Sequence, residues 1–159
     1  MSTLLYIESS PRKQRSASIE VAQAFLAAYR DKHPDAHIDT LDVWSTPLPE
    51  FDGAALDAKY AGIAGQPLTA VQSRAWAAIR ALAARFQRAE RILIGVPMWN
   101  FMIPYKLKHL IDCVSQKDLL FTFDEQGLNG ALTDRRAAVI YARGIEYSAG
   151  SGTPDRKST

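Results

Sequence analysis

The sequence predicts an α/β fold, a three-layer sandwich of helices around a parallel sheet. Short aliphatic and β-branched runs alternate along the chain with longer amphipathic segments, as in consecutive βαβ units. Two of the runs, residues 91–96 after Arg91 and residues 137–142, carry apolar residues on both faces, which is typical of parallel strands covered on both sides. With 159 residues, 47% hydrophobic and 23% charged, the chain is expected to form a single domain over residues 1–159.

The first elements are two predicted strands with a helix between them. Residues 4–7 are a short apolar run followed by turn-forming residues, which predicts a strand. Residues 37–43, in which Ile38 and Leu41 are apolar, predict the second strand. The helix is expected to begin at Ser18 and to end where Pro34 interrupts it. Residues 44–53 contain two prolines and predict a loop.

A long helix is predicted next. Pro67 suits a first helical turn, and periodic apolar side chains continue to Ala89. Residues 54–65, before this helix, are ambiguous because they are rich in alanine yet contain two glycines. The side chains expected to face the core from the long helix are Val71, Ala75, Ala78, Ile79, Leu82 and Phe86.

The second half of the chain continues the alternation. The strand at residues 91–96 is followed by a predicted helix over residues 104–115. Residues 119–123 alternate weakly and predict a short extended segment before a turn at residues 127–130. The last predicted strand, residues 137–142, is expected to be buried on both faces.

The end of the chain differs from a complete sandwich of this kind. Residues 145–159 form a polar segment with Gly, Ser and Pro, and we expect an irregular tail there. In the flavodoxin-like strand order 2-1-3-4-5, the fourth strand would then lie at the sheet edge with an apolar face uncovered. We therefore expect that a last strand and helix are missing or that a partner covers this edge.

Composition and charge exclude several classes of function. The net charge of +2 is too small to predict nucleic acid as a partner, and no apolar stretch is long enough for a membrane span. The first eight residues lack the basic region of a signal peptide. One cysteine excludes an intramolecular disulfide and a multi-thiolate metal site, so we expect a cytoplasmic protein without a bound metal.

Ligands of open parallel sheets bind beyond the carboxyl ends of the strands. Three loops of unusual composition follow such strand ends, at residues 8–18, 96–104 and 143–152. The first loop holds four serines and three basic residues next to a predicted helix N-terminus, where a phosphate would be bound. Alternatively, Ser16 or Ser18 only caps the helix. The loop lacks G-x-G-x-x-G and G-x-x-x-x-G-K-[ST], which argues against a Rossmann dinucleotide site and a nucleoside triphosphatase.

The second loop concentrates soft and aromatic side chains at a strand end, in the run Met98, Trp99, Asn100 and Phe101. This composition suits the wall of a pocket for a flat aromatic ligand, with the Asn100 amide available for its polar edge. Alternatively, these side chains pack into the core. Since no acidic pair or Ser-His-Asp set accompanies the loops, we expect a bound cofactor to supply the chemistry and assign no catalytic side chain.

Several segments together resemble a known family. Ser9-Ser10 followed by Ser16-Ala17-Ser18, GVPMWNF at residues 95–101 and PYKLK at residues 104–108 are similar to the FMN-dependent NADH-azoreductases. These are NAD(P)H:quinone reductases with the flavodoxin-like fold. FTFDEQGLNG at residues 121–130 and ARG at residues 142–144 extend the resemblance over almost the whole chain.

The resemblance implies FMN as the cofactor and assigns residues to it. It places the flavin phosphate on the first loop and the isoalloxazine ring on the second, with the strand end at residues 141–144 along the other edge of the ring. It also implies a homodimer in which Phe123 reaches the partner's site. Trp99 stands where the family usually has tyrosine, so it is expected to shape the substrate pocket. The cofactor-binding residues so implied are Ser10, Ser16, Ala17, Ser18, Met98, Trp99, Asn100, Phe101, Tyr141, Ala142, Arg143 and Gly144.

The implied reaction is a ping-pong transfer of hydride from NADH or NADPH to FMN and then of electrons to a quinone or an azo compound. Chromate, nitroaromatics or free flavin are alternative acceptors. Two other readings stay open: a flavodoxin-like electron carrier that binds FMN, and a shortened chain that no longer retains flavin. The charge of +2 argues against the carrier, because such carriers are usually strongly acidic.

Overall fold

The computed structural model describes residues 2–144 and contains six strands and four α-helices within them. The strands are Thr3–Glu8 (β1), His37–Asp42 (β2), Arg91–Pro97 (β3), Phe121–Asp124 (β4), Gly127–Gly130 (β5) and Arg136–Ala142 (β6). The helices are Ala17–Lys32 (α1), Gly53–Ile63 (α2), Ala70–Arg88 (α3) and Tyr105–Val114 (α4). Expectations for residues 145–159 lie outside the described residues.

Four of the strands form a parallel sheet in the order β2-β1-β3-β6. β1 lies in the middle, with Leu5 opposite Asp39 of β2 and Ile92 of β3, and β3 continues the sheet to β6. The chain therefore winds outward from β1 in both directions, as the sequence predicts. Because the strand order reverses between β1 and β3, the loops that leave these two strands lie next to each other.

Helices cover the sheet on both sides, which makes it a three-layer sandwich. Leu4 and Tyr6 of β1 point into a core shared with α1, whereas Leu5 and Ile7 point into a larger core beneath α2, α3 and α4. All four side chains are at most 1% exposed. Successive side chains of β1 point to opposite faces of the sheet, and both faces are covered by a core. This explains why β1 is apolar at four consecutive residues.

The long helix α3 begins later than Pro67, because Thr69 and Gln72 form a capping box that starts it at Ala70. Ile79, Leu82 and Phe86 are buried as predicted. Val71 and Ala78 were wrongly assigned to the buried stripe and are exposed. At 3.6 residues per turn, they lie about 80° and about 100° around the helix from Ile79.

Two other local expectations are corrected. The ambiguous residues 54–65 lie mostly in α2, which Asp52 caps by accepting a hydrogen bond from the backbone N–H of Ala55. The turn expected at residues 127–130 is β5, which pairs antiparallel with β4. Gly127 has φ of +113°, a backbone conformation that glycine tolerates and other residues rarely adopt. It is the first residue of β5 and pairs with Asp124 of β4.

Strand β6 is half-buried on one face and exposed on the other, so the expectation of burial on both faces is wrong. Ala138 and Ile140 pack against the α1 core, whereas Val139 and Tyr141 are 60% and 46% exposed. The core beneath α2, α3 and α4 draws on β1, β2 and β3 but on no residue of β6. The predicted edge strand with an uncovered apolar face is thereby confirmed for residues 2–144. Over the same residues, no helix is both long and apolar enough to cross a membrane.

Candidate functional site

The loops that leave β1 and β3 are hydrogen-bonded to each other. The hydroxyl of Ser9 donates to the carbonyl oxygen of Gly95 at 2.6 Å, and the backbone N–H of Ser9 donates to the same oxygen at 3.3 Å. Ser9 is fully buried. The predicted phosphate loop is thus fixed to the strand that carries the predicted ring-binding loop.

The first loop ends in buried hydroxyl groups at the start of α1. After a 3₁₀ turn at Lys13–Arg15, Ser16 takes the N-cap position. Ser10, Ser16 and Ser18 are 1%, 6% and 0% exposed, and the hydroxyls of Ser16 and Ser18 lie 3.0 Å apart. The Ser16 side chain makes no capping hydrogen bond, so the alternative in which it serves only as a cap is not supported. Ala17 begins the helix, and its amide belongs to the first turn, which has no intrahelical acceptors.

Lys13 neutralises two carboxylates at the adjacent strand ends. Its ammonium lies 2.7 Å from Glu8 and also bonds Asp42, which is opposite Glu8 in the sheet. Burial alone would raise the pKa of Asp42, but hydrogen bonds from Lys13, Ser45 and the Trp44 backbone lower it below its usual value. Burial would lower the pKa of Lys13, and the bonds to Asp42 and Glu8 outweigh it and raise that pKa. The charge of Lys13 is therefore committed to these carboxylates, which leaves the exposed Arg12 and Arg15 as the loop's other cations.

The second loop contains a tight turn in a rare backbone conformation. Trp99 and Met102 exchange two backbone hydrogen bonds of 2.9 and 2.8 Å, and the two residues between them, Asn100 and Phe101, have φ of +47° and +63°. Asparagine tolerates this left-handed region, whereas phenylalanine is disfavoured there by roughly 1–2 kcal/mol. Backbone strain of this kind is concentrated at functional sites, and here it holds the ring of Phe101 64% exposed.

The strand end at residues 141–144 is hydrogen-bonded to the second loop. The backbone N–H of Met98 donates to the carbonyl oxygen of Ala142 at 2.8 Å. Met98, Trp99 and Ala142 are half-buried, whereas Tyr141, Asn100, Arg143 and Gly144 are exposed. The alternative in which the second loop packs wholly into the core is therefore wrong.

Trp44 joins the site although the sequence analysis placed it in a plain loop. Its indole N–H donates to the carbonyl oxygen of Ser9 at 3.0 Å, and its ring centroid lies 5.7 Å from that of Trp99. Tyr105, at the start of α4, packs edge-on against Trp44 at 5.4 Å. A tryptophan two residues after the carboxyl end of β2 was the available signal, because ligands bind at this edge of the sheet.

Phe123 is not brought to the loops. It lies on the β4–β5 hairpin opposite Leu128, and the two side chains are 64% and 69% exposed. Within residues 2–144, no hydrogen bond or ring contact joins Phe123 to the loops at residues 8–18 or 96–104. The hairpin therefore presents an exposed apolar pair, Phe123 and Leu128.

Cys113 and His109 of α4 hold the loop that precedes α2. The Cys113 thiol and the His109 ring both contact the carbonyl oxygen of Pro49, at 3.3 and 2.8 Å. Burial, with smaller contributions from Asp112 and Glu50, raises the pKa of Cys113 to about 11. A thiol that stays protonated is a poor nucleophile, which fits a structural role for this residue.

The donor set fits a phosphate joined to a flat ring. Buried hydroxyls and helix amides are ligands for a phosphate, and the turn at Trp99–Met102 supplies aromatic and amide groups for a ring. The Tyr6 hydroxyl, buried and without a hydrogen bond among the described residues, lies beneath the same strand ends. A Cβ at Gly95 would lie 3.5 Å from this hydroxyl and 3.4 Å from the Ser18 carbonyl oxygen, so β3 packs against the start of α1 at this point.

Comparison with known sequences gives a consistent family. The chain matches the family described as having the flavodoxin-like fold over residues 2–158. It is 60% identical over 155 residues to a Burkholderia lata protein named FMN-dependent NADH:quinone oxidoreductase 9, which covers 97% of this chain and 74% of the relative. A Pseudomonas fluorescens protein named FMN-dependent NADH:quinone oxidoreductase 3 is 50% identical, over 97% of this chain and 72% of the relative.

Solved structures agree with the sequence relatives. An azoreductase from Bacillus anthracis superimposes with a TM-score of 0.86 at 28% identity, covering 95% of this chain and 73% of that one. An FMN-dependent NADH-azoreductase from the same species, solved in complex with FMN, gives a TM-score of 0.84 at 28% identity, covering 94% and 73%. The resemblance inferred from the sequence motifs is thereby confirmed.

Proposed function

Because this chain belongs to the family of proteins with the flavodoxin-like fold, we propose that it is an FMN-dependent oxidoreductase that transfers electrons from NADH to quinones and aromatic azo compounds. Relatives up to 60% identical are named FMN-dependent NADH:quinone oxidoreductases, and two structural neighbours are azoreductases. The observation that supports the proposal is the bond between Ser9 and Gly95, which joins the serine-rich loop after β1 to the strand that leads into the turn at Trp99–Met102.

The first loop would hold the FMN phosphate. Ser10, Ser16 and Ser18 offer hydroxyls, and the amide of Ala17 opens the first turn of α1. The helix dipole favours an anion at this position. Because Lys13 is engaged with Glu8 and Asp42, recognition of the phosphate would depend on hydroxyls and amides more than on that ammonium.

The second and third loops would hold the isoalloxazine ring. Met98, Trp99 and Phe101 offer apolar contacts, and Asn100 with the backbone of the turn offers hydrogen bonds. The strand end from Tyr141 to Gly144 would line the other edge of the ring, at the point where Ala142 accepts a bond from Met98. When bound, FMN supplies the two-electron chemistry that the side chains of the site lack.

We propose that NADH and the acceptor occupy the same side of this site in turn, which is a ping-pong order. The described part of the chain holds one set of loops around the strand ends of β1 and β3, and Trp99 would line the place where either ring stacks. Backbone donors of the turn at residues 98–101 would favour negative charge on the reduced ring. NADPH as the donor and other acceptors are further outcomes of the assay below.

A homodimer would give the exposed hairpin a function. Phe123 and Leu128 form an apolar pair that would be costly to leave in water at a protein surface. We propose that Phe123 reaches the flavin site of a second copy, as the sequence resemblance implies. A cytoplasmic location also belongs to this proposal, because NADH, the proposed electron donor, is an intracellular metabolite.

The direct test is NADH oxidation by the FMN-reconstituted chain with a benzoquinone and with an azo dye. The proposal expects turnover with both acceptors and parallel lines when reciprocal rate is plotted against reciprocal NADH at several quinone concentrations. An FMN-loaded chain that is inert toward NADH would indicate an electron carrier instead. Intersecting lines would contradict the ping-pong order while leaving the oxidoreductase function intact.

A further inference from the structure

Trp44 lies where three parts of the proposed site meet. Its indole N–H donates to the carbonyl oxygen of Ser9 in the phosphate loop at 3.0 Å. Its ring packs against Trp99 of the ring-binding loop, with centroids 5.7 Å apart and planes at 48°. The same ring receives Tyr105 of α4 edge-on, at 5.4 Å and 86°.

The backbone of Trp44 is itself held firmly. Its N–H donates to a carboxylate oxygen of Asp42 at 3.0 Å, while the other oxygen of Asp42 bonds Lys13 and Ser45. The turn that leaves β2 is therefore fixed by a charged group, and the indole is half-buried. A side chain anchored in this way can hold a neighbour in place, because the two aromatic contacts add to the burial of its ring.

We propose that Trp44 is a positioning residue that sets the acceptor preference of the enzyme by holding Trp99 beside the flavin ring. The inference rests on the proposed function. Trp44 acts through two separable contacts: its N–H fixes the phosphate loop at Ser9, and its ring fixes the orientation of Trp99. Loss of the first contact affects flavin binding, and loss of the second affects which acceptor fits over the ring.

Two substitutions separate the contacts. Trp44→Phe removes the N–H donor and keeps an aromatic ring, so the Kd for FMN should rise about three- to tenfold, as expected for a lost neutral hydrogen bond. Its acceptor preference should stay within about twofold of the parent chain. Trp44→Leu removes both contacts and leaves Trp99 without its neighbour. Its kcat/KM for a benzoquinone should fall about tenfold relative to that for a bulky azo dye, mainly through KM.

Trp76 provides the matched control. It is also a half-buried tryptophan, but it lies on α3 and lines a separate cleft with Arg80 and Lys117. Trp76→Leu removes the same number of atoms from the chain, so it reports the general cost of deleting an indole. The ratio of the two kcat/KM values should not change in this variant.

A readout on the flavin-free chain tests the contact between the two rings. Two indoles at 5.7 Å couple as excitons, so circular dichroism should show a tryptophan couplet in the parent chain and in Trp76→Leu. The couplet should disappear in Trp44→Leu. If it persists there, or if the acceptor ratio of Trp44→Leu equals that of Trp76→Leu, the inference is overturned. If the parent chain has no NADH:quinone activity, the proposed function fails. The inference about Trp44 is tested separately, because an unchanged couplet or an unchanged FMN affinity in the Trp44 variants would overturn it.

Discussion

The hydroxyl of Ser9 and the carbonyl oxygen of Gly95 form a buried hydrogen bond of 2.6 Å between residues 86 positions apart in the sequence. Ser9 follows β1, and Gly95 lies in β3, the strand next to it. This bond joins the loop proposed to hold a phosphate to the strand that leads into the loop proposed to hold a flat ring. A Cβ at Gly95 would lie in ordinary van der Waals contact with the Ser18 carbonyl oxygen at 3.4 Å, so the start of α1 packs directly on β3 at this residue.

Ser16→Asp should separate helix capping from phosphate binding. Aspartate is a good N-cap residue, so the free energy of unfolding should change by less than about 1 kcal/mol. Its carboxylate would occupy the amides of the first turn and repel the phosphate, so the Kd for FMN should rise at least about tenfold. The matched control is Ser16→Asn, which caps equally well without charge. Equal FMN affinity in the two variants, measured by quenching of flavin fluorescence, would contradict the phosphate assignment.

Phe101→Gly should make the protein more stable and less able to bind flavin. Glycine removes the strain at φ +63°, which should raise the free energy of unfolding by about 1 kcal/mol in a urea titration. The same change removes the exposed ring, so FMN should bind more weakly. Asn100→Gly, which relaxes the neighbouring residue at φ +47° and keeps Phe101, is the control. A Phe101→Gly chain that binds FMN as tightly as the parent would show that the ring has no role in the site.

Lys13→Met should destabilise the protein in a pH-dependent manner. The folded-state pKa of Asp42 is lowered, so its contribution is present above its unfolded pKa and is lost as the pH falls through the folded pKa. The pKa of Lys13 is raised, so its contribution is present below its unfolded pKa and is lost as the pH rises through the folded one. Because the Lys13 side chain is 44% exposed, the loss at neutral pH should be about 1 kcal/mol or less.

Urea unfolding of Lys13→Met and of the parent chain at a series of pH values checks the sign. The difference between them should be largest near neutral pH and should shrink as the carboxylates are protonated. Lys59→Met removes a lysine that lies on α2 and forms none of the ion pairs of residues 2–144, so it should show no such trend. A constant difference across the acid range would mean that Lys13 acts through its backbone or packing.

A mixture of two inactive variants should recover activity if the site is completed across a dimer. Ser16→Asp damages the site of its own chain, whereas Phe123→Ala would damage only the site of its partner. In a mixed dimer one site carries both defects and the other carries neither. Random exchange at equal amounts should therefore restore about a quarter of the parent activity. No recovery, in a mixture shown to exchange subunits, would argue that Phe123 serves its own chain or none.

The sheet could be predicted because its signals are local. The apolar runs that became β1 and β3, and the helical periodicity of α1 and α3, each lie within one continuous segment. The exposure of Val139 was not predicted from its own segment, because the burial of an edge strand depends on which helices lie above it. The uncovered face of β6 was inferred from the strand order and from the polar residues that follow the strand, and not from residues 137–142 themselves.

The site was predicted in part for the same reason. The serines of the first loop and the run from Met98 to Phe101 carry recognisable composition, and the structure brings both segments to adjacent strand ends. Trp44 was missed because it meets the candidate site through contacts with Ser9 and Trp99, which are 35 and 55 positions away. The ion pair between Lys13 and Asp42 also could not be predicted from the sequence, because it depends on the parallel register of β1 and β2.

The measurement that tests the account most directly is the binding of FMN compared with riboflavin, which has the same ring without the phosphate. The purified chain is mixed with each flavin and desalted, and its visible absorption spectrum is recorded. The account predicts that FMN is retained and riboflavin is lost in the parent chain, and that Ser16→Asp abolishes this difference. A chain that retains neither flavin, or that holds riboflavin as tightly as FMN, would contradict the assignment of the phosphate to the start of α1.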